Sequence, residues 1–282
     1  MKTSASFNYI IEKGIAIFTI STIRYAVVAG LAYLVLYVVF KNKWLHKRIQ
    51  QKFPDKENIF FEIKYSMLNM VIFGITGMFT VWASRHGWTQ IYTKISDYGT
   101  AYFIFSIVAM IFAHDTYFYW THRFMHLKKV FPLVHKVHHH SLNPTPWAAF
   151  SFHPIEGFIE AGILPLIVFL FPVHPIAILI FLVFMTVLNV MGHLGFELFP
   201  KGFTKHALLG INNTSTHHNM HHSLTNYNYS LYFNFWDKWM GTNHAKYHET
   251  FEKIASTKST AHSKQTKPEE VNSSGVFAEK VY

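Results

Sequence analysis

Cysteine is missing from this chain and charge is scarce. With no cysteine in 282 residues, disulfides, thiolate-bound haem, iron–sulfur clusters and cysteine nucleophiles are excluded. Asp, Glu, Lys and Arg make up 14% of the residues, against about 25% in soluble domains. Residues 1–14 are polar and mixed, without the apolar core and small-residue cleavage site of a signal peptide. No repeat of solenoid period occurs. What is present is apolar: 50% hydrophobic and 18% aromatic residues, with a positive mean hydropathy. That balance points to a membrane protein. The net charge is +10. Its lysines and arginines flank apolar runs rather than forming one soluble stripe, which argues for anionic lipid headgroups and against nucleic acid.

The apolar runs set the expected organisation. Residues 15–40 are long enough to cross a hydrocarbon layer of about 30 Å, with Arg24 near the start, where it could snorkel to the interface. Residues 67–83 and 98–120 form a second and a third run. Residues 155–189 are too long for one crossing, and Pro172 and Pro175 interrupt them. They read as a helical hairpin, 156–171 and 175–191, whose shorter first arm either crosses or re-enters. The expectation is an all-α integral membrane bundle of four to five spans. Counting lysine and arginine in short loops places 41–64, 121–153 and 192–282 on the cytoplasmic side, and 84–97 outside. The membrane would be a bacterial inner membrane or the endoplasmic reticulum. Three regions are expected: an N-terminal membrane region over 1–97 with two spans, a catalytic region over 98–248, and a disordered polar tail over 249–282.

Histidine is the unusual ingredient: of 20 in the chain, 15 lie between residues 114 and 222. His122 and His126 are four apart, so on a helix they share a face. His135, His138 and His139 stand at i, i+3 and i+4, and His218, His221 and His222 repeat that spacing. Neutral imidazole ligates zinc, copper, iron and nickel. One zinc takes about four ligands, so eight clustered imidazoles suggest two metals. Ligation rich in nitrogen and free of thiolate suits iron better than a structural zinc. His193, at the end of the hairpin, is a ninth candidate. His140 and His217 are second choices, each about 100° around a helix from its neighbour. Asn189, four residues before His193, either reaches a metal through water or bonds to another helix. Ligating histidines usually donate their second nitrogen to a carboxylate or carbonyl. Asp115 is the expected partner of His122, and Glu156 is expected to play the same part nearby. Asp237 would pair with Arg123 or cap a turn. The aromatic residues of the third run, Phe112 and Tyr117 to Trp120, would line a path for an apolar substrate or form an interfacial belt.

Together these motifs resemble the three histidine boxes of the fatty acid hydroxylase and sterol desaturase superfamily. The supporting segments are 115–126, Ser151 to Glu156, and Asn226-Tyr227 with Trp236-Asp237 and Gly241-Thr242; the likeness covers about 100–245. The resemblance implies a membrane-bound di-iron oxygenase with a cytoplasmic helical cap carrying the histidines. It would use O2 and two electrons to hydroxylate or desaturate an unactivated C–H bond of a lipid: a sterol, sphingoid base or fatty acyl chain. No fused cytochrome b5 domain is seen, so a separate donor is implied, cytochrome b5 or a ferredoxin-type carrier with its reductase. Two other classes compete. A zinc-dependent membrane hydrolase needs an open coordination site and a general base, yet no His-Glu-x-x-His occurs. A non-catalytic metal-binding membrane protein would place its ligands at mid-membrane depth.

Overall fold

The computed structural model describes residues 2–258; the remainder of the expected tail, with His262, lies outside them. The described chain is helical, with three isolated bridges and no strands. Its main helices are α1 (Lys2–Tyr33, extended by π-helical Leu34–Val39), α2 (Lys56–Arg85), α3 (Gly99–Met125), α4 (Pro154–Ala161), α5 (Ile163–Leu170), α6 (Pro175–Gly192), α7 (Ser215–Leu224), α8 (Phe235–Trp239) and α9 (Tyr247–Ala255). Among them α1, α2, α3 and α6 are long and apolar enough to cross a membrane.

Local chemistry sets several of the helix starts. The Asp55 carboxylate accepts from the Asn58 amide at 2.8 Å and opens α2. Two His-Pro pairs act alike. The His153 ring accepts from Ile155 N at 3.3 Å and the His174 ring from Ile176 N at 3.1 Å, each with proline at the first helical position.

The expected first arm of the hairpin is not one helix. Pro165 has no N–H for the carbonyl of Ala161, and the chain breaks at Gly162 into α4 and α5, eight residues each. The pair nevertheless runs the depth of the bundle. Glu156 lies against His135 at one end. At the other end Gln90 N donates to Val168 O at 2.8 Å and Tyr92 N to Val173 O at 3.1 Å, beside the loop joining α2 to α3. Helix α1 packs antiparallel to α2, with Gly14 opposite Met78 and Phe18 opposite Gly74. Segments 40–55, 126–153 and 193–258 therefore gather at one end of the bundle, and 86–98 and 171–174 at the other.

Residues 145–153 enter that first end with one short 3-10 helix, Pro146–Phe150, and their polar groups need partners at a depth where water is scarce. A polar stripe on α2 supplies many of them. Glu62 accepts from the Thr145 hydroxyl and amide. Ser66 donates to Trp147 O at 2.9 Å, and Asn69 to Phe150 O at 3.1 Å and Phe152 O at 2.8 Å. Tyr25 donates to Trp147 O at 3.0 Å. These residues fix the segment that carries Ser151 and leads into Glu156.

Two expectations are corrected. Arg24 does not snorkel: its guanidinium donates to Thr186 Oγ1 at 2.9 Å, because facing α6 offers a partner inside the bundle. The polar region after 249 is not structureless from its start. Helix α9 buries Tyr247, Phe251 and Ala255 against Met220 of α7, an apolar spacing too short to stand out in a polar stretch.

Candidate metal centre

Nine imidazoles converge in two adjoining groups. His122, His126, His135, His139 and His221 form one; His138, His193, His218 and His222 form the other. Within each group the ligand atoms all lie within 4.8 Å of one another. Helix α3 ends in His122 and His126, the following turns supply His135, His138 and His139, His193 follows α6, and α7 gives the rest. Each triplet divides between the groups. Residues at i+3 and i+4 on a helix point about 100° apart, so His218 and His222 of α7 stay together while His221 turns to the other group. His135 and His139 likewise stay together, and His138 turns away. The groups touch: the His139 and His222 rings are 5.0 Å apart, and those of His135 and His138 5.2 Å.

The second ring nitrogens identify what the first ones face. His122 Nδ1 donates to Tyr229 O, His193 Nδ1 to Asn189 O and His221 Nδ1 to Tyr227 O, each at 2.7 Å. His135 Nδ1 donates to Glu156 Oε1, also at 2.7 Å. With Nδ1 protonated, each Nε2 presents a bare lone pair. Yet His122 Nε2 lies 3.0 Å from His135 Nε2, His139 Nε2 lies 2.9 Å from His221 Nε2, and His218 Nε2 lies 2.9 Å from His193 Nε2. In the His122–His135 pair both Nδ1 atoms are protonated, so two bare lone pairs face each other and repel at that distance unless a cation sits between them. Two nitrogens on one ion at about 2.1 Å, at right angles, would be about 3.0 Å apart. The buried His126 Nε2, which has no hydrogen-bond partner, adds a further free donor.

Protons are poor candidates for that cation. Burial, with the crowding of neighbouring imidazoles, pushes His126, His135, His139, His218 and His222 well below the ordinary histidine range. His193 is pushed down to about 4, chiefly by burial. Neutral imidazoles are the metal-binding form, so both groups are suited to hold a metal ion.

Other expected residues take different places. Asp115 does not reach His122. Seven residues along a helix separate them by about 10 Å, and Asp115 Oδ1 accepts instead from Tyr232 N at 2.8 Å and Phe233 N at 3.3 Å. It thereby pins the loop whose Tyr229 carbonyl orients His122. The Asn189 side-chain amide donates to Ala149 O at 2.6 Å, while its backbone carbonyl holds His193. Asp237 caps its turn, accepting from Tyr229 N and Ser230 N, both at 2.9 Å. Arg123 donates to the Tyr119 hydroxyl instead. His140 stacks on Phe61 with centroids 4.1 Å apart, and His217 lies 3.6 Å from Asp237; neither joins a group. His114, left unassigned by spacing, bonds the Tyr232 hydroxyl at 2.8 Å. Sequence reasoning missed the carbonyls of Tyr227, Tyr229 and Ser151, because a backbone acceptor leaves no residue-type signal.

A cavity of about 260 Å³ adjoins the four-histidine group at His218. Leu188, Met191, Phe199, Phe203 and Leu231 give it an apolar wall.

Comparison with known proteins agrees with this arrangement. A family model described as fatty acid hydroxylase matches residues 107–242. A Delta(7)-sterol 5(6)-desaturase of Schizosaccharomyces pombe is 32% identical over 185 residues, covering 65% of this chain and 58% of the relative. Lathosterol oxidase of Rattus norvegicus is 29% identical over 224 residues, covering 77% and 73%. A Delta(7)-sterol 5(6)-desaturase of Leptosphaeria maculans is 33% identical over 222 residues, covering 77% and 57%. The matches thus span 57% to 73% of these relatives' lengths. No solved structure matches. The chain is a multi-pass membrane protein and belongs to the fatty acid hydroxylase and sterol desaturase superfamily.

Proposed function

We propose that this chain is a membrane-bound oxygenase that holds two iron ions and hydroxylates or desaturates an unactivated C–H bond of a lipid. The observation that carries the reading is the pair of adjoining, buried groups of five and four imidazoles at one end of a membrane bundle. Two irons held there would supply what side chains lack: activation of O2, with two electrons from outside, for attack on an alkyl C–H bond.

The protein's own part is binding, orientation and exclusion of water. Glu156 and the carbonyls of Tyr229, Asn189 and Tyr227 fix four rings and their tautomers. Burial keeps the imidazoles unprotonated and bulk water out. The apolar cavity beside His218 would hold the reacting part of the substrate. At about 260 Å³ it is smaller than the ~300–1,000 Å³ of usual ligand sites, so the rest of the lipid would remain in the bilayer. The relatives named for sterols make a sterol-like lipid the first substrate to try. Lysine and arginine in the connecting loops support a cytoplasmic position for the histidine end. There a separate carrier, cytochrome b5 or a ferredoxin-type protein with its reductase, would deliver the electrons.

Lipid mass spectrometry of cells with and without the gene, grown under ¹⁸O₂, tests the reading. A lipid gaining one labelled oxygen indicates hydroxylation, and one losing two hydrogens indicates desaturation. A lipid profile unaffected by the gene would reject it.

A further inference from the structure

A second, larger cavity lies away from the nine clustered histidines. It measures about 390 Å³ and is lined by Lys205, His206 and Lys238 together with Phe235 and Trp239. Asn234 and Gly210 form its floor, both buried. Lys205 and Lys238 are exposed and have no carboxylate within 4.0 Å among the described residues. Lys238 reaches only the Gly210 carbonyl, at 3.4 Å. Burial is the main cause that lowers the pKa of the neighbouring His248; Lys238 and Lys205 add to it and Glu252 opposes it. The cavity's lining carries two lysines and no carboxylate.

Its position relative to the membrane is fixed by aromatic contacts. Helix α8 lies along the spanning helix α3. Trp236 donates to Thr116 Oγ1 at 3.2 Å and stacks on Tyr119, and Phe233 stacks on Phe112 with centroids 5.3 Å apart. From there an aromatic line runs outward. Trp120 meets Trp236 at 5.5 Å, and Trp236 meets Trp239 at 5.5 Å. Trp239, in the lining, is 69% exposed, and Leu208, next in sequence to the lining residue Ala207, is 77% exposed. Large apolar side chains bared outside the spans, with tryptophan among them, mark the level of the headgroups. A cationic cavity behind an apolar lip at that level matches a lipid whose phosphate is charged and whose chains enter the bilayer.

We propose that this cavity binds the headgroup of an anionic phospholipid, with its phosphate between Lys205 and Lys238 and its acyl chains against Trp239 and Leu208. The site is distinct from the metal centre, and the inference does not depend on the catalytic reading. The segment from Leu209 to Asn213 divides the two cavities, Gly210 and Ile211 lining this one and Leu209, Asn212 and Asn213 the one beside His218. A bound lipid would brace that divide.

The test is calorimetric titration of the full chain in detergent with dioctanoyl phosphatidylglycerol, dioctanoyl phosphatidylcholine and inorganic phosphate in separate arms. Phosphatidylglycerol should bind, and phosphatidylcholine and phosphate should bind far more weakly. Removing both charges with Lys205→Gln and Lys238→Gln should weaken phosphatidylglycerol about 30-fold, at roughly one headgroup attraction per lysine. The charge-matched pair Lys201→Gln and Lys246→Gln, both exposed and outside the cavity, should bind as the parent does. Equal loss in both pairs would show general basic attraction and overturn the proposal. So would binding untouched by Lys205→Gln and Lys238→Gln, or phosphate binding as tightly as the lipid.

Discussion

Glu156 gives the sharpest perturbation of the metal centre that spares its ligands. The residue is 1% exposed, and its Oε1 accepts the His135 Nδ1 proton at 2.7 Å. A hydrogen bond to a charged group contributes about 1.5–3 kcal/mol, or roughly ten- to a hundredfold in an equilibrium constant. Losses of that size are usual when a carboxylate behind a metal-bound histidine is removed. Glu156→Gln keeps an oxygen acceptor and loses the charge, so it belongs at the lower end, near tenfold. Glu156→Ala strands the buried Nδ1 and frees the ring to turn, so it belongs near a hundredfold. Anaerobic titration of metal-free protein with Fe(II), against a competing chelator, reads both values. The loss should fall on the five-histidine group, which contains His135. Affinity within twofold of the parent in Glu156→Ala, with the fold intact, would refute the reasoning.

Other substitutions and conditions separate the groups and test their supports. His138→Ala should remove the metal of the four-histidine group and abolish turnover, while His140→Ala should leave the metal content unchanged, as plasma emission spectrometry can check. Asn69→Leu leaves the Phe152 carbonyl without its donor, while Phe150 O keeps the Phe152 amide; at about 1–3 kcal/mol for an orphaned group, the thermal midpoint should drop by several degrees. Gly195→Ala should also destabilise, because φ is +69° and the new Cβ would lie 2.5 Å from the Tyr37 hydroxyl. Circular dichroism melts would show a change within one degree if either argument fails. Metal-free protein should lose stability as pH falls. His193 titrates near 4 when folded and near 6.5 when unfolded, so between those values the unfolded chain binds the extra proton. The other buried imidazoles shift the same way, so the midpoint should fall steeply below about pH 6.5. A midpoint that rises on acidification from pH 7.5 to 5 would contradict this.

The clustered histidines were legible in the sequence because imidazole is rare and its spacing follows the helix. All nine named positions come together, while His140 and His217, displaced by one residue, fall outside. How they divide was less visible. The i, i+4 pairs stay together and the i+3 residue turns away, and only three-dimensional packing sets one triplet against another. Apolar runs revealed the four long helices. They could not show that α4 and α5 run the depth of the bundle as a broken pair, since that follows from contacts at its two ends. The polar stripe Glu62, Ser66 and Asn69 was readable at i, i+4 and i+7. Its purpose was not, because most of the partners are backbone groups some 80 residues away in sequence. For the same reason the spacing of Asp115 pointed to His122 rather than to the loop amides it holds.

The central claim is that the histidines form two metal sites of one centre and that the metal is iron. Metal analysis of full-length protein purified anaerobically in detergent, combined with Mössbauer spectroscopy on ⁵⁷Fe-grown material, measures this directly. About two irons per chain in nitrogen-rich sites are expected, falling to about one in His138→Ala. A single ion per chain, or zinc filling both groups in protein that still oxidises lipid, would contradict the account.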